Sequence, residues 1–298
     1  MGFGKWTDSA FRQYASSMNY KVDRAGAVVG DYSNQQMFKS KSLNKLLDPK
    51  NVIRECCDSD EHPNVVPVIL ALDVTGSMGQ AAVEVAKKLN IIMTKLYNTM
   101  SDVQFLIMGI GDMACDTCPI QASQFESDIR IADQLEKIYF EFGGGGNGFE
   151  SYSLAWYFAL NHTKIDAINK RNTKGIIITM GDEPLNPYLP KTGSRASFES
   201  ELGDIIEEDI DTKALYDQVK DKFECYHIHV EHNKFEFYSF DNCSKSFIKV
   251  MGEDRVINSN LDNIADTIIN IISNNANHNI NTTYSTKTNK TDNGEIVW

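Results

Sequence analysis

The sequence predicts an α/β fold, a doubly wound and mostly parallel sheet of Rossmann type with helices on both faces and one antiparallel edge strand. Three observations carry that expectation. The runs "VVPVILALD", "VQFLIMGIGD" and "GIIITMGDE" are apolar without alternation, as strands covered on both faces must be. Segments of helical period lie between them, and alternating strands and helices imply parallel pairing through crossovers. Each of the three runs also closes on an acid, at Asp73, Asp112 and Asp182. Right-handed crossovers bring such strand ends to one edge of the sheet, where ligands of this fold class collect.

Taken in order, residues 1–64 show no clear period, and "LLDPKNVIRECCDSDEHPN" is polar with two prolines. They are expected to form an extension packing on a core domain of residues 65–273. After the first strand, "AAVEVAKKLNIIMTKLYNTM" places Val83, Ala86, Leu89, Ile92 or Met93 and Leu96 at helical spacing, with Lys87, Lys88 and Lys95 on the wet side. "PIQASQFES" pairs back on the second strand as a hairpin through the cysteine-bearing turn. "IRIADQLEKIYFEF" offers a helix with Ile131, Leu135 and Ile138 on one side. A second helix, "ESYSLAWYFALNHT", follows "GGGGNG" and should bury Trp156, Tyr157 and Phe158.

Beyond the third strand, residues 184–211 form a long insertion, Pro-rich at first, whose acidic end around Glu207, Glu208 and Asp209 could make a short helix. "TKALYDQVKDKF" is helical, and "ECYHIHVEH" alternates as a strand, with His227 and His229 in packing or surface roles. "RVINSN" gives a last strand, and "LDNIADTIINIIS" an amphipathic helix. From residue 274 to 298 the chain is Asn, Thr and Lys with little to bury, a flexible polar tail.

Composition narrows the function classes. A hydrophobic fraction of 42% supports a sizeable core, and a net charge of −12 opposes a sequence-independent grip on nucleic acid. No segment is long and apolar enough for a bilayer, and the first residues lack the apolar stretch of a secretory signal. Six cysteines, among them Cys115-x-x-Cys118 and the adjacent Cys56 and Cys57, are too few for a disulfide scaffold. They suit reduced thiols in the cytoplasm.

The chemistry concentrates at the first strand end. Asp73, Thr75 and Ser77 stand at i, i+2 and i+4, which in an extended segment aims all three one way. One carboxylate and two hydroxyls offer oxygen only, a set suited to a hard cation such as Mg²⁺. Gly76 permits a sharp bend between the hydroxyls. The plain alternative is that Thr75 and Ser77 only cap the following helix. Asp182 supplies a second acid in the equivalent place. Asp112 either joins them or caps its own turn, and Glu150 suits a helix N-terminus with or without a metal.

"LALDVTGSM" resembles the metal-ion-dependent adhesion site of the von Willebrand factor A family, whose signature is D-x-S-x-S with a threonine from a second loop and an aspartate from a third. The resemblance spans residues 65–273 by order of elements. "GIGD", "GGGGNGFESYSLAWYFA" and "TMGDEP" are similar to a bacterial and phage branch. It implies metal ligands at Asp73, Thr75, Ser77, Asn147 and Asp182, with Asp112, Glu150 and Glu183 around them. Thr75 replaces the usual serine, and T-M-G-D-E replaces T-D-G. At the second loop Gly146 is an alternative match, leaving Asn147, Glu150 or a water to complete the shell. The implied cofactor is Mg²⁺, with Mn²⁺ or Ca²⁺ as substitutes. The implied role is binding rather than catalysis: an adaptor or regulatory subunit whose protein partner offers Asp or Glu. An AAA+ ATPase is one partner class, and neither nucleic acid nor membrane is involved.

The competing class is an enzyme binding nucleotide or phosphate at Gly143-x-Gly145-x-x-Gly148. Four consecutive glycines satisfy that pattern almost automatically, and no Walker lysine follows. A phosphatase using D-x-D-x-T would need an acid where Thr75 stands, and no G-x-S-x-G appears.

Overall fold

The computed structural model describes residues 4–100, 102–141, 147–231 and 240–288, with side chains outside the description at 240–242 and 277–288. At its centre lies a six-stranded sheet of β1 (Val66–Asp73), β2 (Val103–Ile110), β3 (Ile120–Ala122), β4 (Gly175–Gly181), β5 (Phe223–Val230) and β6 (Val256–Ser259). In space the order is β6-β5-β4-β1-β2-β3. Neighbours are parallel except β2 and β3, the antiparallel edge. The doubly wound α/β class is therefore the observed one. Strand order reverses between β1 and β4, where Leu72 lies beside Met180.

The lack of alternation has its cause in two cores. Val68, Leu70 and Leu72 of β1 face α1 (Asp8–Ser17), α2 (Gly79–Thr99), α3 (Arg130–Leu135) and α7 (Ile264–Thr288). Ile69 and Ala71 face the opposite layer of α4 (Ser153–Asn161), α5 (Thr212–Val219) and α6 (Phe240–Met251). Each fully buried large apolar side chain contributes roughly 1.5–3 kcal/mol. Helix α2 buries Val83, Ala86, Leu89, Ile92, Met93 and Leu96, the stripe its period predicts.

Five expectations need correction. Residues 1–64 are less irregular than their composition: α1, capped by Thr7, buries Phe11 and Ala15, and Trp6 donates to Asn90 at 2.8 Å. Helix α3 stops at Leu135 instead of running to 142. Beyond it Tyr139 is captured as a strand partner would be, its N–H on Gln121 Oε1 at 2.9 Å and its carbonyl on Gln121 Nε2 at 2.7 Å. The acidic end of the insertion is not helical; the short helix is Phe198–Glu201, capped by Ser197, and Tyr188–Leu189 pairs antiparallel with Ile210–Asp211 to close the insertion. His227 and His229 are both buried, which removes a surface role. Helix α7 continues past residue 274 to Thr288, since a helical backbone satisfies its own polar groups without an apolar face. The remainder of that segment, 289–298, lies outside the described residues.

Helix α6 is an element the sequence reading lacks. It supplies the crossover that parallel β5 and β6 require, and it buries Cys243, Phe247 and Met251.

Candidate functional site

The site forms where β1 and β4 end side by side. Asp73 is the last residue of β1 and is fully buried. Its Oδ1 accepts the Thr75 hydroxyl at 2.6 Å and the Thr75 N–H at 2.9 Å. Its Oδ2 accepts the Tyr152 hydroxyl at 2.7 Å. Ser77 donates to Asp182 Oδ1 at 3.1 Å, across 105 residues of sequence. The capping alternative thus fails for both hydroxyls: α2 begins without a side-chain cap, and each hydroxyl is spent on an acid. Gly76 and Ser77 are exposed, so the cluster opens to solvent at that point.

Asp182 follows β4 directly, and its loop is braced from α6. Cys243 Sγ donates to the Asp182 carbonyl at 3.1 Å, and Ser246 Oγ accepts the Leu185 N–H at 3.0 Å. Gly181 lets Tyr152 in: a Cβ at that position would stand 1.8 Å from the tyrosine hydroxyl. The same hydroxyl accepts the Glu183 N–H at 3.3 Å. Tyr152 therefore ties both strand ends together, and sequence reasoning missed it because an aromatic residue in an apolar helix resembles core.

The second loop is arranged differently from the implied ligand set. Asn147, expected on the cation, donates through Nδ2 to Asp112 Oδ2 at 2.8 Å, while its oxygen accepts the Phe149 N–H at 3.1 Å. Asp112 also accepts the Ser151 hydroxyl at 2.9 Å and the Ala114 N–H at 3.2 Å, so it organises the loops. Glu150 is 1% exposed, and neither of its carboxylate oxygens has a hydrogen-bond partner among the described residues. Glu183 Oε2 is also buried and unpartnered. Of the formal glycine motif at 143–148, residues 143–146 lie outside the described residues, and Gly148 has φ +70°.

Electrostatically the cluster is one-signed. Burial, then the neighbouring Asp182 carboxylate, hold the Asp73 carboxyl well above the usual carboxylate range. Burial, then Asp73, Glu183, Asp116 and Asp112, do the same to Glu150. Glu183 is pushed up to about 7 by burial and by Asp182, Asp112 and Asp116. Bringing carboxylates together out of water costs several kcal/mol unless protons or cations neutralise them. A hard divalent ion fits the donor set, which is oxygen only. Among the described residues no three acid, histidine or cysteine side chains already converge as a complete metal cage.

Because the Asp73 pKa is raised above its unfolded value near 4, its stabilising contribution is complete below that pH and is lost as pH rises across neutrality. In chelator, the melting temperature of the wild type should therefore fall between pH 5 and pH 8, and Asp73→Asn should show a smaller fall over that interval. Equal slopes for the two proteins would contradict the assignment.

The other singled-out groups have structural roles. Cys118 is buried, its thiol pushed up to about 12 chiefly by burial, and Glu141 accepts the N–H groups of Thr117 and Cys118 at 3.0 and 3.1 Å. Burial depresses the His227 pKa, and its ring stacks on Phe247 with centroids 3.5 Å apart. The six cysteines are free thiols.

No family model matches the chain, and no curated protein does. Among solved structures it is similar to the pilus adhesin SpaC from Lactobacillus rhamnosus GG in its open conformation, at 12% identity and TM-score 0.49, covering 76% of this chain and 31% of that one. It is similar to the vWF domain of the type V pili tip protein Mfa5 from Porphyromonas gingivalis, at 13% identity and TM-score 0.44, covering 78% and 98%. A third likeness is to the SpRpn10 VWA domain, at 12% identity and TM-score 0.37, covering 65% and 88%. The chain thus spans 31% of the SpaC length, and all three are likenesses of fold.

Proposed function

We propose that this chain is a divalent-cation-dependent protein-binding module, acting in the cytoplasm as an adaptor or regulatory subunit. The observation that supports it is the meeting of Ser77 with Asp182 beside buried Asp73, at the point where strand order reverses. A bound Mg²⁺, or Mn²⁺ or Ca²⁺ in its place, would supply positive charge and an open coordination position able to receive an Asp or Glu of a protein partner. Asp73, Ser77 and Asp182 would hold it, with Thr75 orienting Asp73 through the 2.6 Å hydrogen bond. Tyr152 fixes the other oxygen of Asp73, and Asp112 gathers the loops around the opening. The chain's own groups bind and orient, and no bond-breaking step is assigned to them. Among the described residues no helix is long and apolar enough to cross a membrane. An AAA+ ATPase is one class of partner to test.

Thermal melting separates this reading from the nucleotide-binding enzyme. Mg²⁺ at about 100 times its dissociation constant should add about 2.7 kcal/mol, a rise of about 4 °C for a chain of this size. NAD and ATP should add nothing. A nucleotide response unaffected by Asp73→Ala would favour the enzyme. Partner capture should require the cation and be lost in chelator.

A further inference from the structure

We propose that the groove between α5 and α6 is a second protein-docking surface, one that takes an acidic peptide segment and needs no cation. It stands apart from the cation-site reading and would give an adaptor its other contact. The groove has a volume of about 570 Å³. At one end of it Lys174 precedes β4, and Asp182 follows that strand, about 25 Å away along it.

Charge in the groove runs against that of the chain. Acids outnumber lysines and arginines 41 to 29 over the whole sequence, whereas five cations and three carboxylates line the groove. Two of the carboxylates are each bracketed by two cations. Asp217 lies between Lys213 and Lys220, both at 2.5 Å, and Glu224 between Lys174 at 3.1 Å and Arg255 at 2.5 Å. Each trio keeps one positive charge unanswered. Lys249 is exposed and has no ion pair among the described residues, so the groove stays positive with Asp221, the third carboxylate, counted.

Helix ends account for only part of this charge. Lys174 donates to the Lys220 carbonyl at 2.7 Å, at the end of α5, where a cation is favourable. Lys213 has no such reason to be there. It stands in the first turn of α5, where the helix dipole opposes a positive charge. Its pair with Asp217 also has the less favourable order, cation before acid.

The spacing of the cations selects the occupant. Lys213, Asp217 and Lys220 share one face of α5 at i, i+4 and i+7, and the two lysines lie about 10 Å apart along the helix. A single phosphate or carboxylate does not reach both, whereas carboxylates spread along a peptide do. Ile248 and Val250, partly buried on α6, give such a peptide an apolar wall. A nucleic acid strand fits less well, because its bases stack on open aromatic faces and Tyr216 and Phe223 are buried.

Fluorescence anisotropy with a labelled peptide of repeated Glu-Glu-Phe units tests the surface on the full chain. Binding should persist in EDTA and in Asp73→Ala. It should weaken at least tenfold between about 0.05 and about 0.5 M NaCl, since salt screens exposed charges. Lys213→Glu combined with Lys249→Glu should weaken it at least tenfold as well. Both positions are exposed, where substitutions rarely disturb a fold, and Lys249→Glu alone carries the test if the double variant does not fold. Wild-type affinity in these variants overturns the proposal, as does no binding by the wild type, or equal binding of a Lys-Lys-Phe peptide or an oligothymidylate. Binding that vanishes in EDTA assigns the peptide to the cation site and overturns the groove. A chain that holds the peptide in EDTA but shows no Mg²⁺ response supports the groove and overturns the cation-site reading alone.

Discussion

Asp73→Ala is expected to erase the stabilisation by Mg²⁺, with affinity falling more than about 100-fold. Removing a residue that merely supports a ligand costs about 10–100-fold, and Asp73 is proposed as a ligand itself. The same substitution should leave the cation-free protein no less stable at pH 8, because the fully buried carboxylate beside Asp182 disappears. Loss of its hydrogen bonds to Thr75 and Tyr152 works in the opposite direction, leaving two hydroxyls without their acceptor. Melting at pH 8, with and without Mg²⁺, separates the two effects. An Mg²⁺ response of wild-type size in Asp73→Ala would remove the site.

Gly181→Ala should be strongly damaging to both the fold and the site. The added carbon would lie 1.8 Å from the Tyr152 hydroxyl and 2.4 Å from the ring carbon bearing it, inside any permitted contact. Tyr152 has no room to retreat, since it packs at 5.1 Å against His227 and 5.4 Å against Phe247. Overpacking of a tight core typically costs about 1–3 kcal/mol and occasionally more. A ring forced aside also releases Asp73 Oδ2 and the Glu183 N–H. Denaturant unfolding should show the loss of stability, and Mg²⁺ titration a weakened site in the protein that remains folded. Wild-type values in both would show that β4 moves freely at this point.

Much of this arrangement was legible in the sequence because it depends on local pattern. β1, β2 and β4 are apolar without alternation, and burial on both faces is the cause. The spacing of Asp73, Thr75 and Ser77 expresses the geometry of an extended segment, and the position of Asp182 follows from strand order. What escaped depends on contacts between distant segments. Tyr152 belongs to the core in every atom except the hydroxyl, which reaches Asp73. Asn147 has the chemistry of a ligand, but its amide is used on Asp112. Glu150 looks like an ordinary helix-start acid until its neighbours prove to be acids as well. Helix α3 ends at Leu135, and the Gln121 side chain takes up both backbone groups of Tyr139, a partner far off in sequence.

The pleat of β1 carries a consequence of its own. Val68, Leu70 and Leu72 belong to one core and Ile69 and Ala71 to the other, so Asp73 shares the odd-numbered side with the layer that contains Tyr152. The strand thus keeps a parity. Losing or gaining one residue between 66 and 72 would exchange the two cores and turn the acid away from its tyrosine, whereas a change of two could preserve both. Evolution along this segment should therefore proceed by substitution, with length altered only in the loops on either side.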